Sequence, residues 1–261
     1  MKNDVIKLVF FLGGHDLEMI TIKGLLDEKG ITYYDKELSW GAKASDYKEE
    51  ISKTIASGLI PVLVELTNDL DIGQENYILI DHHGERAGAN TPSSLRQVFE
   101  LLQVPSKEWT RYFELVDAND KGHIQAMINI GASREEVMEV RQADRHAQGI
   151  TDEQERQGHL AIAQIETLLN GKLTIIQLPH SKTAAVTDLL HPALGGSGYK
   201  NLLIISPDEV NFYGKGEIIT ALNQKFPDGW YGGSLPEYGF WGHGNPVPDI
   251  IEFIKMRILQ K

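Results

Sequence analysis

An α/β architecture, a mainly parallel doubly wound sheet followed by a second, smaller α/β domain, is what the 261-residue sequence predicts, and three observations carry the prediction. Short apolar runs ending in glycine or a carboxylate alternate with helical patterns in the N-terminal part, the rhythm of βαβ units. A helix-rich stretch interrupts that rhythm between Thr91 and Asn170. The alternation then restarts, which places residues 1–150 in a first domain, 151–172 in a linking helix and 173–261 in a second domain.

The elements follow in chain order. VIKLVFFL (5–12) is apolar except for Lys7 and ends at Gly13 and Gly14, as a parallel strand buried on both faces would. A helical pattern runs from about Leu17 to Lys29, with Ile20, Leu25 and Leu26 in its apolar set. ITYY (31–34) reads as a short strand, Lys43 to Ala56 as a helix, and LIPVLVEL (59–66) and NYILID (76–81) as two further strands. In the helical stretch, Ser93 or Ser94 stands near a helix start, and SREEVMEVRQADRHA (133–147) is amphipathic behind a serine cap. TDEQERQGHLAIAQIETLLNG (151–171) opens with Thr151 and, three residues on, Gln154, a capping box, and is expected to close on Gly171. Beyond it come KLTIIQL as a strand, a helix through KTAAVTDLL, the strands NLLIIS and EVNFYG, and a helix near EIITALNQKF. A glycine-rich segment and a last helix in PDIIEFIKMRILQ complete the chain.

Composition narrows the chemistry. There is no cysteine, so any metal must be held by His, Asp and Glu, and a reducing, cytoplasmic setting is expected. No apolar run approaches the ~20 residues of a membrane helix. With 25 basic against 37 acidic residues the formal net charge is -12, which argues against a nonspecific grip on long nucleic acid. A small phosphate-containing substrate fits better, provided a local cation offsets the field. A homodimer is compatible with the sequence.

Candidate ligands collect at strand ends. After the first strand stand His15, Asp16 and Glu18; after PVLV stands Glu65; after NYILI stand Asp81, His82 and His83; and DANDKGH offers Asp117, Asp120 and His123. Each cluster alone also suits a solvated loop or a helix cap. Together, an oxygen and imidazole set without thiolates suits Mn²⁺ or Mg²⁺. Two such ions sharing carboxylates would polarise a phosphoryl group and generate a hydroxide, with His83 placed to meet a phosphate oxygen or the leaving group.

The segment IDHHG at the end of an apolar strand resembles the motif of the DHH phosphoesterase superfamily. HDLEMITIKGLL is similar to that superfamily's first motif, with Asp16 and Glu18 at its two acidic positions. VLVE resembles the second, Glu65 standing where Asp is usual, and DANDKGH the fourth, with Asp117 or Asp120 as the ligand. The resemblance implies a DHH-type catalytic domain and a DHH-associated C-terminal domain, with Asp81 and His83 in catalysis and two Mn²⁺ or Mg²⁺ ions. It also implies a glycine-rich substrate loop ending in His, for which WYGGSLPEYGFWGHG offers Gly232, Gly233, Gly242 and His243. The aromatic residues in that segment would either stack on a base or pack in the core. Arg86 would reach a substrate phosphate or stay solvated.

The remaining histidines His146, His159, His180 and His191 lack clustered carboxylates and read as ordinary. GSGYK reads as a turn, and Lys215 between Gly214 and Gly216 as a tight strand-to-helix turn. The expected function is metal-dependent hydrolysis of a phosphodiester or phosphoanhydride in a short oligonucleotide, cyclic dinucleotide or nucleotide. The alternative, motivated by Glu18 and Glu65, is a nucleotide-binding sensor or regulatory module that uses the same cleft without cleaving.

Overall fold

The structure, a computed structural model, describes residues 8–39, 41–83, 91–245 and 248–260. Two units divide the chain, residues 1–149 and 150–261. The first carries β1 (Leu8–Leu12), α1 (Leu17–Glu28), β2 (Tyr33–Asp35), α2 (Lys48–Ala56) behind a 3₁₀ turn, β3 (Ile60–Val64) and β4 (Ile78–Ile80). Helices α3 (Ser94–Leu101), α4 (Arg111–Asn129) and α5 (Arg134–Ala147) complete it. All strand pairs in its sheet are parallel, in the order β2-β1-β3-β4. After β1 the chain turns to one side of the sheet and after β3 to the other. The connections that leave the adjacent carboxyl ends of β1 and β3 therefore diverge, the place where doubly wound sheets bind ligands.

The pattern of burial explains the elements. Phe10, Phe11 and Leu12 of β1 and Val62, Leu63 and Val64 of β3 are wholly buried, as a central parallel pair covered on both faces requires. One side packs Phe11, Tyr47, Ile51, Leu63 and Leu66 together. On α1 the buried face is made by Leu17, Met19, Ile22, Leu25 and Leu26, whereas Ile20, expected in that set, is 45% exposed. At about 100° per residue, the buried positions fill one broad arc and Ile20 falls outside it.

Helix α4 is broken. Gly122 (φ -173, ψ 26) and His123 (φ 50, ψ -140) leave helical geometry in mid-element, so the DANDKGH segment, which the sequence places near a helix end or a loop, lies at a kink inside a helix. Serine caps behave as expected elsewhere: Ser93 caps α3, and Ser133 with Glu136 forms a capping box at α5.

The second unit opens with α6 (Asp152–Ile162), begun by the Thr151 and Gln154 capping box. It continues with β5 (Glu166–Leu168), β6 (Leu173–Gln177), α7 (Ala184–Leu190), β7 (Leu202–Ile205), β8 (Val210–Lys215) and α8 (Gly216–Lys225). Strands β9 (Trp230–Ser234) and β10 (Tyr238–His243) and helix α9 (Pro248–Leu259) close it. Its mixed sheet has the order β5-β6-β7-β8-β10-β9, with only β6 and β7 parallel. One face packs Leu203, Phe212 and Trp241 against α8 and α9, the other Ile176, Leu202 and Ile204 against α6 and α7.

Two expectations differ here. The helix expected over 151–172 ends at Ile162, and Glu166–Leu168 forms a strand antiparallel to β6. Asn170 (φ 54) and Gly171 (φ 80) make the left-handed turn between them, closed by Lys172 N donating to Leu169 O. An Asn-Gly pair is a strong hairpin signal, and here it outweighs the helix-closing role assigned to Gly171. The glycine-rich segment is likewise a hairpin rather than a loop: Gly232 pairs with Phe240 and Gly242 with Trp230. A Cβ at Gly242 would lie 2.3 Å from the Trp230 ring, so the glycine clears room for an aromatic on the next strand. Among the described residues, no helix is long and apolar enough to cross a membrane.

Candidate metal centre

The site forms in the first unit, beyond the carboxyl ends of β1, β3 and β4. Gly13 makes the strand ends meet, since a Cβ there would lie 2.4 Å from the carbonyl oxygen of Glu65. The next residues turn into α1, where Asp16 is the N-cap and its Oδ1 accepts from Met19 N at 2.9 Å. Glu18, in the first turn of α1, is buried, and its Oε1 accepts from Leu95 N at 2.8 Å, in the first turn of α3. Glu65 follows β3 with a left-handed backbone (φ 54), uncommon for a residue with a side chain. Its Oε1 accepts from Ser94 Oγ at 2.9 Å. The amino-terminal turn of α3 thus supports both glutamates, where the helix dipole favours negative charge.

His82, buried after β4, is the hub. Its Nε2 lies 2.7 Å from Asp120 Oδ2 and 3.7 Å from both Glu18 Oε2 and Glu65 Oε1. Its ring centroid is 4.1 Å from that of His83. His83 is half-exposed, with Nδ1 3.2 Å from Asp81 Oδ1, which also accepts from the His83 amide. A cavity of about 930 Å³ opens over the site, lined by His15, Asp16, Glu65, Asp81 and His83 among others. No lysine or arginine lines it among the described residues.

The placement of the candidates is therefore uneven. Glu18, Glu65, His82, His83 and Asp120 converge, whereas Asp117 faces Lys121, its Oδ2 3.3 Å from Nζ. His15 lines the cavity and is exposed. Arg86 lies outside the described residues. Gly232, Gly233, Gly242 and His243 belong to the hairpin of the second unit, where the His243 ring stacks at 16° and 5.8 Å on buried Trp241. Trp230, Tyr238 and Phe240 are 42%, 42% and 40% exposed, so the aromatic residues divide between core and surface.

Burial and neighbouring negative charge raise the affinity of the cluster's carboxyls for protons. Burial lifts the Glu65 carboxyl to about 8, helped by the charges of Glu18 and Asp16. Burial also raises Glu18 and Asp16. For His82, burial alone would lower its affinity for a proton, yet Asp120 and Glu18 outweigh it and lift it to about 10. Glu18 Oε2, His82 Nε2 and Asp120 Oδ2 are buried and make no aligned hydrogen bond, even though the last two are in contact. Buried polar atoms are rarely left so. Among the described residues, two groups of three ligand atoms lie within 4.8 Å of one another: Glu65, His82 and His83, and Glu18, His82 and Asp120. The donor set, carboxylate oxygen with imidazole nitrogen, fits a divalent cation such as Mn²⁺. One imidazole nitrogen serves one ion, so carboxylates would bridge any pair.

Sequence reasoning misses part of this arrangement. Ser94 is legible only as a candidate cap, and Arg141 and Asp144 of α5 are hidden in a helix that reads as simply amphipathic. Both are buried, and Asp144 Oδ1 accepts from Leu17 N, beside Asp16 and Glu18. A charge pair spaced i, i+3 on the apolar side of that helix is the available signal.

No family model matches the sequence, and no curated protein does. Solved structures do match in fold. A DHH-domain structure described as a member of the s1p family of ribosomal proteins superposes with a TM-score of 0.58 at 11% identity, over 97% of this chain and 86% of that one. An exopolyphosphatase-related protein from Bacteroides fragilis gives 0.52 at 11% identity, over 98% and 92%. RecJ in complex with Mn²⁺ from Thermus thermophilus gives 0.50 at 10% identity, over 98% of this chain and 52% of that one. At such identities it is the fold that is shared.

Proposed function

We propose, from the DHH-type fold that the chain shares with these structures, that it is a divergent DHH phosphoesterase. In this reading it is a divalent-metal-dependent hydrolase of a phosphodiester or phosphoanhydride bond. The observation that carries the reading is the convergence of Glu18 Oε2, His82 Nε2 and Asp120 Oδ2, all buried, beside Glu65. The Mn²⁺ in the matching RecJ structure supports the choice of Mn²⁺, or Mg²⁺, and the two overlapping ligand groups support a pair of ions.

Glu18, Glu65, His82 and Asp120 hold the cations in this reading, with Asp16 and Asp81 completing the set. A divalent cation supplies Lewis acidity toward a phosphoryl oxygen and lowers the pKa of water. Asp81 orients His83 through Nδ1, and His83, exposed in the cavity, meets the leaving group or a phosphate oxygen. The substrate in this reading is a small anion such as a short oligonucleotide, cyclic dinucleotide or nucleotide, whose charge the cations, with Arg86, would meet. The hairpin residues Gly232, Gly233, Gly242 and His243 remain assigned to substrate binding, as the resemblance implies.

A panel of phosphodiesters and nucleotides assayed with Mn²⁺ tests this. Release of product that disappears in Asp81→Ala and His82→Ala is expected. Nucleotide binding without turnover of any substrate would instead favour a sensor that uses the same cleft.

A further inference from the structure

Behind the cluster lies a buried ion pair that the proposed chemistry does not use. Arg141 and Asp144 of α5 are 5% and 3% exposed, and Arg141 Nη1 donates to Asp144 Oδ2 at 2.6 Å. Desolvating such a pair costs about as much as the attraction returns, and well-packed apolar residues often replace one without loss of stability. Its contacts are therefore more informative than its charge.

Each member holds one ligand-bearing segment. Asp144 Oδ1 accepts from Leu17 N at 3.3 Å, at the start of α1 between Asp16 and Glu18. Arg141 Nη1 donates to Asn119 Oδ1 at 3.0 Å, next to Asp120, and lies 3.4 Å from Nδ1 of His123 at the break in α4. Gln148, which lines the cavity, donates to Asp144 Oδ2 at 3.1 Å. Glu18 and Asp120, the two carboxylates that face His82, thus sit on backbones tied to a single i, i+3 pair on a third helix.

We infer that Arg141 and Asp144 are positioning residues for the metal centre, setting the separation between the first turn of α1 and the broken turn of α4. This rests on the phosphoesterase reading, because it presumes that Glu18 and Asp120 hold a cation. An apolar pair keeps the packing and removes the tie.

Titration calorimetry with Mn²⁺ on the full chain tests it, using the double variant Arg141→Met/Asp144→Leu and the single variant Asp144→Asn. The expected result is Mn²⁺ affinity at least about tenfold weaker in the double variant, as for lost outer partners of metal ligands elsewhere. Its metal-free unfolding midpoint should fall modestly, because Leu17 N and Asn119 Oδ1 lose buried partners, and affinity is compared at a temperature where both chains are folded. Asp144→Asn should weaken affinity in the same direction and decides the question if the double variant does not fold. Mn²⁺ affinity unchanged in the folded variants overturns the inference. A parent chain that takes up no Mn²⁺ overturns the phosphoesterase reading instead.

Discussion

Ser94 Oγ donates a hydrogen bond of 2.9 Å to Oε1 of Glu65, so a residue that a sequence reader would take for a helix cap supports a candidate metal ligand. Removing it leaves Glu65 with a stronger preference for its proton, since hydrogen bonds to a carboxylate favour the charged form. Ser94→Ala should weaken Mn²⁺ binding at pH 7 by about fivefold, or about 1 kcal/mol, the net worth of one hydrogen bond. Calorimetry at pH 7 and pH 9 should show the deficit shrinking at the higher pH.

Metal uptake should itself depend on pH. Binding must displace the protons that Glu65, lifted to about 8, and His82, lifted to about 10, retain without metal. Apparent Mn²⁺ affinity should therefore rise steadily from pH 6 to pH 9, with proton release measurable by calorimetry in buffers of different ionisation enthalpy.

The same groups govern stability in the absence of metal, and they act in one direction. The raised carboxyl of Glu65 makes the folded state bind more protons than the unfolded state between the ordinary glutamate range and about 8, so stability falls as pH rises through that window. For raised His82, the contribution is fully present below the ordinary histidine value and is lost as pH rises toward about 10. Thermal unfolding in chelator should give a midpoint that declines from pH 5 to pH 9. Excess Mn²⁺ should restore it at the alkaline end; a flat profile in chelator would contradict the electrostatics described for the cluster.

Gly13→Ala should damage fold and site together. The new methyl would meet backbone of Glu65 and the side chain of Leu66, neither of which can swing aside. A loss of about 2–3 kcal/mol in urea unfolding is expected, as for other overpacked core positions. Mn²⁺ affinity should fall with it.

Gly171→Ala is the contrasting case. There is open space around this position, but φ is +80, so the cost is that of left-handed backbone, about 1 kcal/mol. Because the turn belongs to the second unit, Mn²⁺ binding should be unchanged.

Much of the architecture is legible in the chain itself, because local signals agree with tertiary packing. Apolar runs ending at Gly14 and Asp81 become strands, and serine and threonine caps open α3, α5 and α6. What escapes the sequence depends on pairing between distant residues. The stretch from Glu166 to Leu168 follows a helical pattern, yet β6 supplies it with a partner strand, and the hairpin wins. The glycines at 232 and 242 resemble a loop until the rings of Phe240 and Trp230 are seen lying across them. Within DANDKGH, nothing local separates Asp117 from Asp120. The kink at Gly122 and His123 and the position of His82 bring Asp120, rather than Asp117, against the imidazole in three dimensions.

The left-handed backbone at Glu65 sets two demands on one residue that no single side chain meets fully. Aspartate tolerates that conformation better than glutamate. Glu65→Asp would relax the main chain while withdrawing the carboxylate from His82, 3.7 Å away. The expected variant is a sturdier protein with a poorer grip on Mn²⁺, a trade between stability and activity decided by one methylene. Evolving the chain for heat tolerance would press on this position early, and sequences recovered from such a selection should lose metal affinity as they gain shorter side chains there.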